Sequence, residues 1–220
     1  QGLIILACVP VTVTSGVAMT RMAGGNEAGA LCNAALGNLL GVVLTPLLIY
    51  GMLGRTGELE YASVVQSLGL KVLLPLLLGQ AVQFLLTVPG QRRGRILGVL
   101  SQLLLLLMLY LVFSKSLHQE WSLPMVSLLW LLLLLTMDHV LILWASWQGS
   151  GLKLWGFSRE DRLAAVLVGS QKTMALGIPL ISVIYAGVPG VGFLAVPLLC
   201  YHALQLLVDG VLASAVAARR

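Results

Sequence analysis

Polar residues nowhere hold a long stretch of this chain to themselves. Seven apolar segments, at residues 2–20, 28–53, 62–86, 96–113, 123–147, 163–185 and 191–217, are separated only by short polar or glycine-rich links. A helix crosses a bilayer with roughly 17–25 such residues, so each segment reads as a membrane span. The chain has 220 residues, 59% of them hydrophobic and 10% charged, where a soluble domain carries about 25% charged residues. A water-soluble fold of this size still exposes much of its surface and cannot hide that much apolar area. A soluble enzyme, a nucleic-acid binder and a disordered tail are excluded. The expected fold class is all-α, a polytopic membrane protein with no second, soluble domain. The chain starts at Gln1 with no basic leader ahead of the first apolar run, which reads as a fragment whose beginning is missing.

The charges sort by side. The links numbered odd from the first span, together with the C-terminus, carry Arg21, Arg92, Arg93, Arg95, Lys153, Arg159, Arg162, Arg219 and Arg220; the opposite links carry Arg55 and Lys115. Basic residues collect on the cytoplasmic side of membrane proteins, so the C-terminus is expected on that side or its organellar equivalent. The net charge of +5 is then an orientation signal and implies no nucleic-acid partner. Lys71 lies close enough to a span end to snorkel. Cys8, Cys32 and Cys200 sit in apolar runs with no zinc or disulfide spacing, and read as small buried hydrophobes.

Two spans are interrupted. The first holds Pro10-Val11-Thr12-Val13-Thr14-Ser15-Gly16, and the sixth holds Gly169-Ser170-Gln171-Lys172-Thr173, then Gly177 and Pro179. In lipid every backbone polar group needs a partner, so breakers with clustered polar side chains belong where protein or water surrounds them. Paired interruptions at corresponding positions point to a transporter's midplane site. The two spans are five apart and therefore cross in opposite senses, as in an inverted repeat of five helices. Simple kinks, with the hydroxyls bonded back to their own helices, are the alternative. They leave the intramembrane Lys172 unexplained, and ionisable groups inside spans mark pathways.

Neighbouring spans add candidates. Gly25, Gly29, Asn33, Gly37 and Gly41 recur every four residues in the second span, a small-residue stripe that permits close packing. Asn33 is either part of that packing or the polar group facing the broken first span. In the last span His202, Gln205 and Asp209 share one helix face; His202 is either a site residue or a hydrogen-bonded packing histidine. Lys172 needs a partner, for which Asp209 and Asp138 are the carboxylates inside spans. Asp138 and His139 are adjacent and point about 100° apart, so they do not converge as an acid–base pair. No HExxH or GxSxG pattern suggests an intramembrane enzyme, and a seven-helix receptor would not need two broken helices.

The run VPVTVTSGVAMTRMAGGNEAGALCNAALGNLLGVVLTPLL, with VGSQKTMALGIPL and VPLLCYHALQLLVDGVL later, resembles the bile acid:sodium symporter superfamily. It is most similar to the branch that includes sodium/bile acid cotransporter 7 and the plastid sodium/metabolite cotransporters. The resemblance implies a ten-span inverted-repeat fold working by alternating access, of which these seven spans are the fourth to tenth. Residues 1–53 would then be core domain, 54–118 panel domain and 119–220 core domain again.

The chain departs from the sodium-binding pattern that the resemblance implies. Where an acidic residue precedes the glycine of the second break, it has Leu167-Val168-Gly169; Ala30 and Ala34 fall at hydroxyl ligand positions, and Gly16 at that of an asparagine. Gln171 and Ser15 match ligand positions. The sequence-level expectation is a secondary transporter of a small organic anion, embedded in the bilayer, with absent or weak sodium sites and no other cofactor or metal. Thr12, Thr14, Ser15, Gln171, Lys172 and Thr173 would form its site, with Asn33 and His202 beside it. Lys172 would stand in for the cation. The alternative is a regulatory or scaffold protein that keeps the fold without transport.

Overall fold

The computed structural model describes residues 1–53, 124–185 and 190–219, with isolated positions at 66–114 and Val188. The expected spans at 62–86 and 96–113, and with them Arg55, Lys71, Arg92, Arg93, Arg95 and Lys115, lie outside the described residues apart from those isolated positions.

Proline chemistry sets the first break. Helix α1 (Gly2–Cys8) stops before Pro10, and Val9 is extended at φ −74°, ψ 146°, the conformation favoured by a residue preceding proline. The chain becomes helical again at α2 (Thr14–Met22). Helices α3 (Glu27–Leu53) and α4 (Met125–Ser150) are continuous. The second break separates α5 (Arg159–Gly169) from α6 (Met174–Ile184). Thr173 is extended there and caps α6, its hydroxyl accepting from the Ala175 amide at 3.2 Å. Pro179, read as a breaker in the sequence, sits inside α6; the polar tetrapeptide 170–173 makes the break. Helix α7 (Val191–Ala217) completes the described set.

Among the described residues, four stretches are long and apolar enough to cross a membrane: Glu27–Met52, Met125–Ser150, Arg159–Ile184 and Val191–Ala217. The broken pair α1–α2 packs into the same bundle as two short helices. Helix α5 packs on α2, α3 and α4, while α7 packs on α1, α2, α4 and α6. Ile5, Val9, Ile178, Ile181, Leu198 and Tyr201 form the largest buried cluster. The outward faces of α3 and α4 show leucines such as Leu40 and Leu133, as expected for helices against lipid.

Four of the sorted arginines can be placed on the bundle. The Asn26 amide donates to the Glu160 carbonyl at 3.0 Å, and its side chain donates to Asp161 at 2.7 Å. Ala23, Leu163 and Ala213 cluster beside this contact. The α2–α3 link, the start of α5 and the end of α7 therefore share one end of the bundle, which carries Arg21, Arg159, Arg162 and Arg219. Arg21 pairs with Glu27, and Arg162 stacks over Trp147 at 4.0 Å.

Part of the glycine stripe seats α3 on the first break. A Cβ on Gly41 would lie 2.6 Å from the Pro10 ring, and one on Gly37 would lie 3.3 Å from Val11. At Gly51 nothing lies within 4 Å. We expect Gly41→Ala to lower the melting temperature of the purified full-length protein, by an overpacking cost of about 1–3 kcal/mol. Gly51→Ala should leave it unchanged or slightly higher, since alanine is the better helix former.

Candidate functional site

An unwound segment in a membrane leaves carbonyls that no helix will satisfy. At the first break the carbonyls of residues 7 to 11 each have an identified donor. The Lys172 ammonium donates to Ala7 at 3.1 Å and Val9 at 3.2 Å. The Thr45 hydroxyl donates to Cys8 at 2.8 Å. The Thr173 amide donates to Pro10 at 2.9 Å, and the Asn38 side chain donates to Val11 at 2.8 Å. Three of these five bonds come from residues 172 and 173, so the second break closes the first.

The second break is held from α7 and α4. Gln205 bonds both polar groups of the Lys172 backbone, accepting from its amide at 2.7 Å and donating to its carbonyl at 3.1 Å. Tyr201 donates to the Ser170 carbonyl at 2.8 Å. Gln171 is fully buried and bridges the two breaks: it accepts from the Ser15 hydroxyl at 2.6 Å and donates to Asp209 at 2.7 Å. Thr12 Oγ1 lies 3.5 Å from Ser15 Oγ. Asp209 also meets His139 Nε2 at 2.9 Å, with both side chains fully buried. The Ser170 hydroxyl is buried with no hydrogen-bond partner among the described residues.

The structure thus brings Thr12, Ser15, Gln171, Lys172 and Thr173 together at one crossing. Thr14, the first residue of α2, is exposed and takes no part in these bonds. Asn33 is also exposed and lines a separate groove of about 840 Å³ with Ser146, Ser150 and Trp155. The asparagine that reaches the broken span is Asn38. The difference is helix rotation: Ala34, Gly37 and Asn38 face the break, and Asn33 falls on the other side. His202 meets Gln205 at 2.8 Å and bonds the Lys172 backbone at the second break. The buried polar face of α7 is Tyr201, Gln205 and Asp209, a four-residue spacing with His202 at its edge. Asp209, one of two expected partners of Lys172, is instead held by His139 and Gln171. Asp138, the other, lines with Lys172 a cavity of about 310 Å³. His139, Tyr201, Asn38 and Thr45 were not among the sequence candidates. The i, i+4 relation of Tyr201 to Gln205 was a usable signal, and so was an imidazole inside a span at His139.

Two half-helix pairs crossing at polar breaks inside an apolar bundle define a transporter-type membrane protein. Residues 1–218 match the SBF-like CPA transporter family, to which this chain belongs. It is similar to sodium/bile acid cotransporter 7 of Xenopus tropicalis, at 32% identity over 96% of this chain and 62% of the relative. Against the protein of the same name from Danio rerio the figures are 33%, 96% and 63%. An uncharacterized protein of Pseudomonas aeruginosa is 35% identical over 100% of this chain and 66% of its own length. The chain spans less than two thirds of the length of these curated relatives.

The two asparagines of α3 can be told apart by experiment. Asn38→Leu strands the Val11 carbonyl in a buried site, a loss of roughly 1–3 kcal/mol, and should lower the melting temperature clearly. Asn33→Leu should change it little.

Proposed function

We propose that this chain carries the crossover of a secondary-active transporter that moves a small organic anion by alternating access, with the Lys172 ammonium in the electrostatic place of a coupling sodium ion. The observation that carries this is the seat of the ammonium. It lies on carbonyls at the C-terminal end of α1, the negative end of a half-helix, where an unwound transporter helix would hold a cation. Two of the three ammonium donors are used there. The remaining charge borders the cavity that Lys172 shares with Asp138, and α2 and α6 both begin just after the breaks. These features favour an anionic substrate.

The residues present do not fit sodium. Ala30 and Ala34 are fully buried against Ala164 and Val168, with Val11, Val13 and Val17 around them. A Cβ on Gly16 would meet Val168 at 3.2 Å. Methyl groups dominate this region, and Gln171 Oε1, 3.6 Å from that Cβ, is already bonded by Ser15. In this reading residues 1–53 and 119–220 are the core domain, residues 54–118 are the panel, and the arginine-bearing end faces the cytoplasm or its organellar equivalent.

A second reading, a scaffold or regulator without transport, is favoured by the closed crossing, where the carbonyls of residues 7 to 11 are already engaged. Melting of the full-length protein with a series of small carboxylates and sulfonates separates the two. A transporter is stabilised by its substrate; a scaffold of this kind responds to none.

Uptake of labelled small carboxylates into proteoliposomes tests the main reading. We expect uptake that is indifferent to an inward sodium gradient and falls about tenfold or more, the equivalent of 1.4 kcal/mol, in Lys172→Ala. Uptake that climbs steeply with the sodium gradient and survives Lys172→Ala would contradict it.

A further inference from the structure

Beneath the second break lies a buried polar chain that the anion reading does not use. His139 Nε2 and Asp209 Oδ1 are 2.9 Å apart. His139 Nδ1 meets the Tyr201 hydroxyl at 3.1 Å, and that hydroxyl lies 2.8 Å from the Ser170 carbonyl. Asp209 Oδ2 accepts from Gln171.

The protons along this chain can be counted. A carbonyl only accepts, so Tyr201 directs its single proton to Ser170, and its oxygen accepts from Nδ1–H. With Nδ1 protonated, the contact between Nε2 and Oδ1 needs a second proton. It sits either on an imidazolium facing a carboxylate or on a carboxyl facing a neutral imidazole. Without it, two lone pairs would oppose each other in a fully buried site. In either arrangement the pair is neutral overall and holds one proton more than a neutral histidine beside an ionised aspartate.

We propose that His139 and Asp209 form a proton-binding site that controls the second break through Tyr201. On unloading, one N–H or O–H bond breaks and the proton passes to solvent, leaving a neutral imidazole beside a carboxylate. The remaining imidazole proton then belongs on Nε2, where it donates to Oδ1. Nδ1 becomes an acceptor, the Tyr201 hydroxyl turns to donate to it, and the Ser170 carbonyl loses its partner. A buried carbonyl without a partner destabilises its turn. Proton loading therefore locks the break at residues 170–173, and unloading loosens it. The site exists whether or not the anion reading holds; if it does, the proton is the coupling ion.

Among the described residues, Tyr201 is the one other titratable group bonded to the pair. Asp138 of α4 and Lys172 border the adjoining cavity, and His202 of α7 is held by Gln205. Cys8 of α1 is buried, and Cys200 lies on α7. Arg21 and Glu27 pair with each other at the end of the bundle, where Arg159, Glu160, Asp161 and Arg162 begin α5.

The test is the pH dependence of melting of the full-length protein in lipid nanodiscs. The wild type should lose stability as pH rises and Ser170 loses its bond. Asp209→Asn cannot ionise, and its amide can serve both His139 and Gln171, so that fall should disappear. Tyr201→Phe should melt lower at every pH and also lose the fall, because Nδ1 no longer has an acceptor that fixes the imidazole tautomer. A merely structural tyrosine would lower stability and leave the pH dependence intact. A wild-type profile that does not fall, or one that both variants reproduce, overturns the proposal while leaving the uptake test of Lys172 untouched. Nitrogen NMR of the histidine-labelled wild type reads the switch without relying on the folding of those variants, with the His139 signal assigned by its loss in His139→Gln. Nδ1 should carry a proton at low pH and release it at high pH, and a proton retained throughout would also overturn the proposal.

Discussion

Everything at the centre of this protein follows from five carbonyl oxygens that cannot be left bare in a membrane. Beside Pro10 the carbonyls of residues 7 to 11 have no donor from their own helix, and each unpaired one would cost free energy in hydrocarbon. Their donors are Lys172, Thr45, Thr173 and Asn38. Two of these residues lie on α3 and two on the second break. This is why α3 approaches closely enough for Gly37 and Gly41 to touch the broken segment. The two breaks also satisfy one another: the Thr173 amide, released by its own break, donates to Pro10.

The same constraint links structure to function. A half-helix ending inside the membrane concentrates negative potential at its last carbonyls. A protein can balance that with a bound cation or with a built-in one, and here Lys172 stands on those carbonyls. The neighbouring volume is filled by Val168, Ala30 and Ala34, which offer no ligand oxygens. Beneath it, Gln171 ties Ser15 of the first break to Asp209 and so to His139 and Tyr201. The polar interior is one connected network with Lys172 at one side and a buried histidine–aspartate pair at the other.

Much of this was legible in the sequence, and the reason is chemical. Proline, glycine and hydroxyl residues inside an otherwise apolar span have few tolerable explanations, so both breaks could be located to within a few residues. Lys172 stood out because a charge there needs a partner. Which partner it takes was not legible. Asp209 and Asp138 were equivalent on paper, and the choice depends on how α4 and α7 rotate against the break. Rotation also separates Asn38 from Asn33 and puts His139 inside while Asp138 borders the cavity. A strongly apolar helix such as α4 gives no polar periodicity from which to read its phase. Pro179 misled in the other direction: a proline within a membrane helix can be accommodated, and the break was set by the polar residues before it.

The central claim, that a lysine ammonium occupies the place of a cation on the carbonyls of α1, is tested most directly by a high-resolution cryo-EM map of the full-length protein in sodium-containing buffer. The account predicts continuous side-chain density from Lys172 to the carbonyls of Ala7 and Val9, with no separate ion between them. An ion peak ligated by those carbonyls, with the Lys172 side chain turned away, would contradict it.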